Sequence, residues 1–305
     1  MSPIVAITTF NAARYTTVEQ LLEEYRTVGL DTLELNVHVQ DHLIDALLPY
    51  IERGEIHISS LHNFCPRPAI LDHVALELSS PDEPTRQLAV EHTQHTIATA
   101  QRLGAKAVVV HAGEMLSLRP LVTSLKELHR AGRQHGAESA RIRNELRRRR
   151  SEERRPYVEA AERSIDELVE YVLRANVGIT LGLETRDYYG QIPQIEEYDT
   201  WLARYDGPPL GLWYDFGHGE ILAKLGFPIR DELFARHGHR LVGLHLHDCL
   251  GIVDHDVPGT GEIDFAFVKP YLRPDVLRVL EYGDRIQPVA RIAVGVRYLR
   301  QAGIL

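Results

Sequence analysis

The chain has 305 residues, of which 44% are hydrophobic and 25% charged, as is usual for globular proteins. The 34 basic residues against 43 acidic ones give a net charge of −9, which makes a general nucleic-acid binder unlikely without excluding one. With no apolar run of roughly 20 residues, no basic region at the N-terminus and two cysteines, we expect a cytoplasmic protein with free thiols, no membrane segment and no secretory signal.

Short apolar runs alternate with longer amphipathic stretches along the whole chain, which predicts alternating strands and helices. The strands are predicted at Ile4–Thr9, Thr32–Val37, Ile56–Leu61, Ala107–His111, Gly178–Glu184, Leu210–Asp215, Leu241–His247 and Val276–Glu281. The helices are predicted at Val18–Val28, Leu43–Glu52, Thr85–Leu103, Ile195–Tyr205, Glu220–Leu225, Asp231–His237, Phe265–Tyr271 and Val289–Arg300, and one or two more lie between Arg119 and Asn176.

Eight strands that alternate with helices predict parallel βαβ units closed into a (β/α)8 TIM barrel of the α/β class. The alternative is an open doubly wound sheet, but no G-x-G-x-x-G turn follows the first strand. Because no linker composition marks a boundary, we expect one domain over residues 1–305, with a long helical, arginine-rich connection at about 112–176.

From the second to the eighth, the predicted strands end in carboxylate or imidazole side chains. In a barrel these ends meet at one face, where barrel enzymes have their active sites. Gathering so many titratable groups costs several kcal/mol per ion unless partners are found, and a divalent cation is a suitable partner. A hydrogen-bonded polar network without metal is the alternative. The residues at these ends are Glu34, His62, His111, Glu184, Asp215, His245, His247 and Glu281, and His218 follows Asp215 by three positions.

Five segments at these strand ends resemble the xylose-isomerase-like barrels, which include sugar isomerases and epimerases and DNA-repair enzymes of the endonuclease IV type. The segments are VVVHAGE, LGLETR, WYDFGHGE, GLHLHDC and DH-x-x-PG-x-GEID. In the sugar branch, the resemblance implies a single Mn²⁺-like ion and two catalytic glutamates that move a proton through an enediolate. The implied metal ligands are Glu184, Asp215, His245 and Glu281, and the implied catalytic pair is Glu184 and Glu281.

The endonuclease branch uses three zinc ions, and the resemblance implies four further ligands here, namely His62, His111, His218 and His255. The aspartate that this branch has two residues before its last histidine is replaced by Val253. Asp254 is adjacent, but on a strand-like backbone we expect it to point elsewhere. One ion of Mn, Zn, Co or Mg is therefore expected, with two or three as alternatives and Asp254 as a further candidate.

Three other residues are candidate substrate contacts. Arg186 is either a ligand for a substrate phosphate or hydroxyl or a salt-bridge partner at the rim. Glu34 is either an acceptor for a substrate hydroxyl or a structural cap. His247 is either a substrate contact or, like Asp248, a group that orients a metal ligand.

The arginine-rich stretch 141–155 has two interpretations. Its glutamates at helical spacing favour a solvated helix with internal ion pairs. A phosphate-binding or nucleic-acid-binding segment, or a subunit contact in a homo-oligomer, is the alternative.

The sequence thus favours a divalent-metal-dependent isomerase or epimerase that acts on a small sugar, polyol or related hydroxy-carbonyl compound. One alternative is an endonuclease IV-like metal-dependent phosphodiesterase that cuts abasic DNA. Another is a barrel that binds metal or ligand without catalysis, since the fold alone does not fix the function.

Overall fold

A computed structural model describes residues 3–205, 207–283, 285–286 and 288–305. Eight parallel strands form a closed barrel in which each strand pairs with its neighbours in sequence, and the last pairs with the first through Val5 and Arg278. The predicted TIM barrel is confirmed. The strands are β1 (Val5–Thr8), β2 (Thr32–Leu35), β3 (His57–His62), β4 (Ala107–Val110), β5 (Thr180–Glu184), β6 (Leu210–Asp215), β7 (Leu241–Leu246) and β8 (Leu277–Leu280).

Helices follow the strands and cover the outside of the barrel. They are α1 (Val18–Arg26), α2 (Asp41–Glu52), α3 (Glu83–Arg102), α4 (Arg119–Arg130), α5 (Ala137–Glu153), α6 (Arg155–Ala175), α7 (Ile195–Arg204), α8 (Phe216–Lys224), α9 (Arg230–His237) and α10 (Ile292–Gln301). Within the described ranges, no helix has both the length and the apolar character that crossing a membrane requires.

The long connection after β4 contains three helices, where the sequence predicted one or two. Gly132 adopts a positive φ of 70° just after α4, which ends that helix. Pro156 lies in the first turn of α6, a position where proline is favoured because its missing N–H would be unpaired there anyway. The residues between these breaks form α5, which carries most of the arginines.

Short elements complete the chain. Two small antiparallel sheets pair Gly113–Glu114 with Gln191–Ile192 and Asp248–Leu250 with Val253–Asp256. The predicted helix at Phe265–Tyr271 is a 3-10 helix, and the predicted last helix begins with a 3-10 turn at Val289–Arg291. The second of these sheets is a hairpin immediately after β7, so it lies above the C-terminal ends of the strands.

The interior of the barrel is filled by Trp213 of β6. Gly182 and Gly243, on the two neighbouring strands, make room for it, since a Cβ atom at either position would lie within 2.8 Å of the indole ring. Small and branched side chains complete this layer, and the helices pack around the outside in a larger apolar core. The other interior residues are Ala6, Ala107, Val109, Leu277 and Val279.

Candidate active site

The ends of β5, β6, β7 and β8 bring four buried side chains together, here called the central group. It consists of Glu184, Asp215, His245 and Glu281, and one ligand atom from each lies within 4.8 Å of the others. Nδ1 of His245 is 3.0 Å from a Glu184 oxygen, 3.1 Å from a Glu281 oxygen and 3.5 Å from an Asp215 oxygen. The structure thus gathers all four predicted metal ligands around one point.

Glu34 orients the imidazole of His245 from the other side of the ring. Its Oε1 lies 3.0 Å from Nε2 of His245, and its Oε2 accepts a 2.7 Å hydrogen bond from the Ser60 hydroxyl. Glu34 is fully buried. Neither role considered from the sequence describes this position, because Glu34 is enclosed within the protein and caps no element. A carboxylate on the far nitrogen leaves Nδ1 of His245 to face the central group.

The central group carries an excess of negative charge. Burial alone would lower the pKa of His245, but the carboxylates of Glu281 and Glu34 outweigh it and hold that pKa well above its usual range. Burial would raise the pKa of Glu281, whereas His245 and His255 lower it to about 2. The carboxylate of Glu281 is therefore ionised at neutral pH and attracts a positive charge at Nδ1.

The donor set of the central group fits a divalent metal ion. Three buried carboxylates and one imidazole nitrogen converge, and this mixture of oxygen and nitrogen ligands suits Mn²⁺, Zn²⁺, Fe²⁺ or Co²⁺. The N-terminus of α8 fixes one ligand, because Oδ1 of Asp215 accepts the backbone N–H of His218 at 2.7 Å. The first turn of a helix thus fixes the orientation of a metal ligand.

His247 has both ring nitrogens engaged within the protein. Nδ1 accepts the backbone N–H of His255 at 2.8 Å, so Nε2 carries the proton and donates it to Asp215 at 2.9 Å. The ring is fully buried. Of the two roles considered in the sequence, this position corresponds to orienting a metal ligand and offers no open contact to a substrate.

A second set of ligands, here called the hairpin group, consists of His218, Asp254 and His255. Nδ1 of His218 donates to the Thr185 carbonyl at 2.9 Å, which turns its Nε2 towards Asp254, 4.0 Å away. Asp254 also lies 3.0 Å from Nδ1 of His255. These three side chains can therefore hold a further metal ion.

The position of Asp254 corrects the expectation that it would point elsewhere. That expectation assumed a regular strand, but His255 adopts a left-handed φ of 57° in the hairpin. The hydrogen bond from the His255 N–H to His247 holds this conformation. The irregular backbone turns Asp254 and His255 towards the same point, which periodicity in the sequence could not indicate.

A third set, here called the rim group, consists of His62, His111 and Glu184. Nδ1 of His62 donates to the Asn63 carbonyl at 3.1 Å, and its Nε2 lies 3.5 Å from Oε2 of Glu184. Nε2 of His111 contacts the same oxygen. Arg186 also contacts His111 and Glu184, so its guanidinium lies among the candidate ligands of this group.

Burial lowers the pKa of His111 to about 3, and the neighbouring Arg186 adds to this effect. His111 is therefore neutral at physiological pH. The pKa of Glu184 is held well below its usual range despite burial, because the guanidinium of Arg186 and a hydrogen bond from His245 stabilise the carboxylate.

Two neighbouring residues were not among the sequence candidates. Asn36 lies two residues after Glu34, where side chains share a face of a strand, and its amide nitrogen is 3.5 Å from Glu281. Lys126 of α4 binds Asp187 at 2.6 Å, next to Arg186. The spacing to Glu34 could have indicated Asn36, whereas no local signal in the sequence indicates Lys126.

Comparisons with known proteins agree with this architecture. A family model described as xylose isomerase-like TIM barrel matches residues 22–302. A stretch of 104 residues, 34% of this chain, is 31% identical to the uncharacterised protein y4fM of Sinorhizobium fredii (strain NBRC 101917 / NGR234). The match spans about a third of that relative, 32% of its length.

Solved structures show the same fold at low sequence identity. A structure of L-ribulose 3-epimerase superposes with a TM-score of 0.67 at 16% identity, covering 100% of this chain and 95% of the other. The IolI protein with a bound zinc atom gives a TM-score of 0.61 at 15% identity, covering 99% of this chain and 96% of the other. At this level of identity, the similarity establishes the fold.

Proposed function

The chain belongs to the xylose isomerase-like TIM barrel family, and from this premise we propose that it is a divalent-metal-dependent isomerase or epimerase. Its substrate is a small sugar, polyol or related hydroxy-carbonyl compound. The observation that carries the proposal is the placement of Glu184 and Glu281, whose carboxylates lie 3.0 and 3.1 Å from the same nitrogen of His245. The fold shared with L-ribulose 3-epimerase supports the same reaction class.

In this proposal, the two glutamates carry the proton. They come from β5 and β8, three positions apart in a ring of eight strands, so they reach the centre from different sides. Both are ionised at neutral pH, so either can take a proton from the carbon next to a carbonyl. The glutamate that returns a proton to the other face must first take that proton from solvent, and the first glutamate releases its proton to solvent to complete the cycle. A divalent ion held by the central group would polarise the adjacent carbonyl and hydroxyl oxygens.

The protein's remaining groups hold this arrangement in place. Glu34 fixes the ring of His245, and His247 fixes the carboxylate of Asp215. Glu34 and His247 are buried together with the side chains that they hold, so water is excluded from these contacts. The electrostatic interactions there are stronger for that reason. Both cysteines are free and buried, as suits the cytoplasmic location that we also propose.

A second candidate function has one observation in its favour. The hairpin group offers a second metal position near the first, and paired metal ions are common in enzymes that hydrolyse phosphodiesters. An abasic-DNA phosphodiesterase would use both positions. Incision of an abasic duplex that is lost on chelation would support it, whereas inactivity at low salt would remove it.

The test of the proposed function is proton exchange. The Mn²⁺-loaded protein is incubated with a panel of ketopentoses and ketohexoses in D₂O, and deuterium incorporation is followed by NMR. We expect exchange at one carbon next to the carbonyl, reduced roughly 10²- to 10⁴-fold by Glu184→Gln or Glu281→Gln.

Glu91→Gln, which changes an exposed carboxylate on α3, is the matched control and should leave the exchange rate unchanged. If an accepted substrate exchanges equally fast in the wild type and in both site variants, the two-glutamate mechanism is wrong. Conversion that persists in a folded His245→Ala variant would likewise show that the central group is not the catalytic centre.

A further inference from the structure

Arg186 binds the rim group in the way that a cation would. Its Nη1 atom is 3.1 Å from Oε2 of Glu184 and contacts Nε2 of His111. A guanidinium has donors only, so in this contact His111 presents the lone pair of Nε2, and Glu184 presents a lone pair of Oε2. With no proton on Nε2, the contact between His111 and Glu184 is not a hydrogen bond. The two electron pairs that would bind a metal ion therefore converge on one nitrogen of Arg186.

We infer that the guanidinium of Arg186 is a built-in cation that takes the place of a metal ion in the rim group. Of the three ligand groups defined above, divalent ions then bind to the central group and the hairpin group but not to the rim group. An ion bound about 2 Å from both His111 and Glu184 would lie almost in contact with Nη1. The repulsion between the two cations, in a site shielded from water, makes simultaneous occupancy unfavourable.

The chain on both sides of Arg186 is held firmly. Thr185 donates its backbone N–H to the Trp213 carbonyl at 3.0 Å, and its hydroxyl accepts the N–H of Asp215 at 2.9 Å. On the other side, Asp187 binds Lys126 at 2.6 Å, and Lys126 also lies 3.9 Å from the ring centre of Tyr188. Helix α4 of the long connection thus braces the segment that carries Arg186.

The side chain of Arg186 is 16% exposed, so it is largely enclosed at this position. To move out, its guanidinium would have to leave both Glu184 and His111 while its neighbours stay in place. We therefore expect it to stay in the rim group when metal is added.

The presence of a guanidinium in place of a metal ion has a chemical consequence. A guanidinium has no open coordination position, so it cannot bind a water molecule and lower its pKa as a metal ion does. It still stabilises the negative charge of Glu184. The rim group is therefore suited to holding a carboxylate for proton transfer and unsuited to making hydroxide for hydrolysis. The inference concerns the number of bound ions, so it does not depend on the proposed reaction.

The test counts zinc ions. Wild-type protein, Arg186→Met and Arg186→Ala are stripped of metal and dialysed against excess Zn²⁺, and bound zinc per chain is measured by mass spectrometry. We expect both variants to bind one ion more than the wild type. The double variant Arg186→Met/His111→Ala should return to the wild-type number, because the added ion needs His111.

Arg119→Met is the matched control, since Arg119 is 55% exposed and pairs with Glu114 outside the ligand groups. It should bind the wild-type number of ions. Three ions in the wild type, an unchanged number in folded Arg186 variants, or an added ion that persists without His111 would overturn the inference. Since only the increment matters, loss of the central ion would contradict the proposed function without affecting this test.

Discussion

Two clusters of charged side chains in this protein differ in their charge balance. Between α5 and α7, Arg150 and Arg154 pair with Glu196 and Glu197, so two positive charges meet two negative ones. At the mouth of the barrel, Glu34 and the central group bring four carboxylates together, near the guanidinium of Arg186.

The comparison separates structural charge from functional charge. The charges of the α5–α7 cluster balance, and its ion pairs attach the arginine-rich helix to α7. In the site cluster, four carboxylates face one guanidinium, so negative charge is in excess. A cation-binding site requires such an excess. The predictions below test this difference, beginning with the largest expected effect.

Glu197→Ala should break the balanced cluster. Glu197 is 2.7 Å from Arg150, and both side chains are almost completely buried. Its removal leaves the buried guanidinium with only the exposed Glu196, 3.6 Å away, as an anionic partner in this cluster. Its side chain also accepts the backbone N–H of Gln194 at 2.8 Å and so caps α7. We expect a loss of about 3–5 kcal/mol in the free energy of unfolding, measured by urea denaturation.

The number of bound metal ions should not change in this variant, because the cluster is separate from the ligand groups. Glu196→Ala on the same helix is the control. Its side chain is 64% exposed, so the expected loss is below about 1 kcal/mol. Equal destabilisation by the two variants would show that the burial of the balanced pair has no special role.

Glu34→Gln should weaken metal binding without removing a ligand. The amide keeps the shape of the side chain but no longer offers a carboxylate to Nε2 of His245, so the ring becomes a poorer ligand. Loss of such a partner typically lowers metal affinity about 10- to 100-fold. Titration calorimetry with Mn²⁺ measures the change, and Glu91→Gln again serves as control. Unaltered affinity would mean that Glu34 does not tune the site.

Glu77→Gln should change stability in a way that depends on pH. Burial, with a contribution from nearby Glu114, raises the pKa of Glu77 from 4.5 to about 7. Because folding raises the pKa of Glu77, its protonated form is favoured in the folded protein. The stability that the protonated form provides is lost as the pH rises from about 4.5 through 7. The variant should therefore gain about 2–3 kcal/mol over the wild type at pH 8 relative to pH 5.

Thermal melts of both proteins at the two pH values check this expectation. A difference in stability that is the same at pH 5 and pH 8 would contradict the raised pKa.

The barrel and the meeting of the strand-end residues could be predicted from local patterns, whereas the choice of four of them as the central group came from the resemblance to the family. Buried strands are recognisable as apolar runs, and parallel strands bring their ends to one face whatever the intervening helices do. Glu184, Asp215, His245 and Glu281 could therefore be placed together before any coordinates.

The remaining features depend on contacts between distant residues or on irregular backbone. Asp254 joins the hairpin group only because His255 has a positive φ. Arg186 enters the rim group in a segment held by Lys126, which is 61 positions from Asp187. Arg150 is buried while its neighbour Arg148 is 54% exposed, and a run of four arginines does not reveal which one faces inward.

The central claim is that the three carboxylates of the central group and Nδ1 of His245 together bind a divalent ion. Equilibrium dialysis of the wild type and His245→Ala against Mn²⁺, with circular dichroism to confirm folding, tests it most directly. We expect at least one bound Mn²⁺ per wild-type chain and one fewer in the variant. A folded wild-type protein that binds no divalent ion, or a variant that binds as many as the wild type with the same affinity, would contradict it.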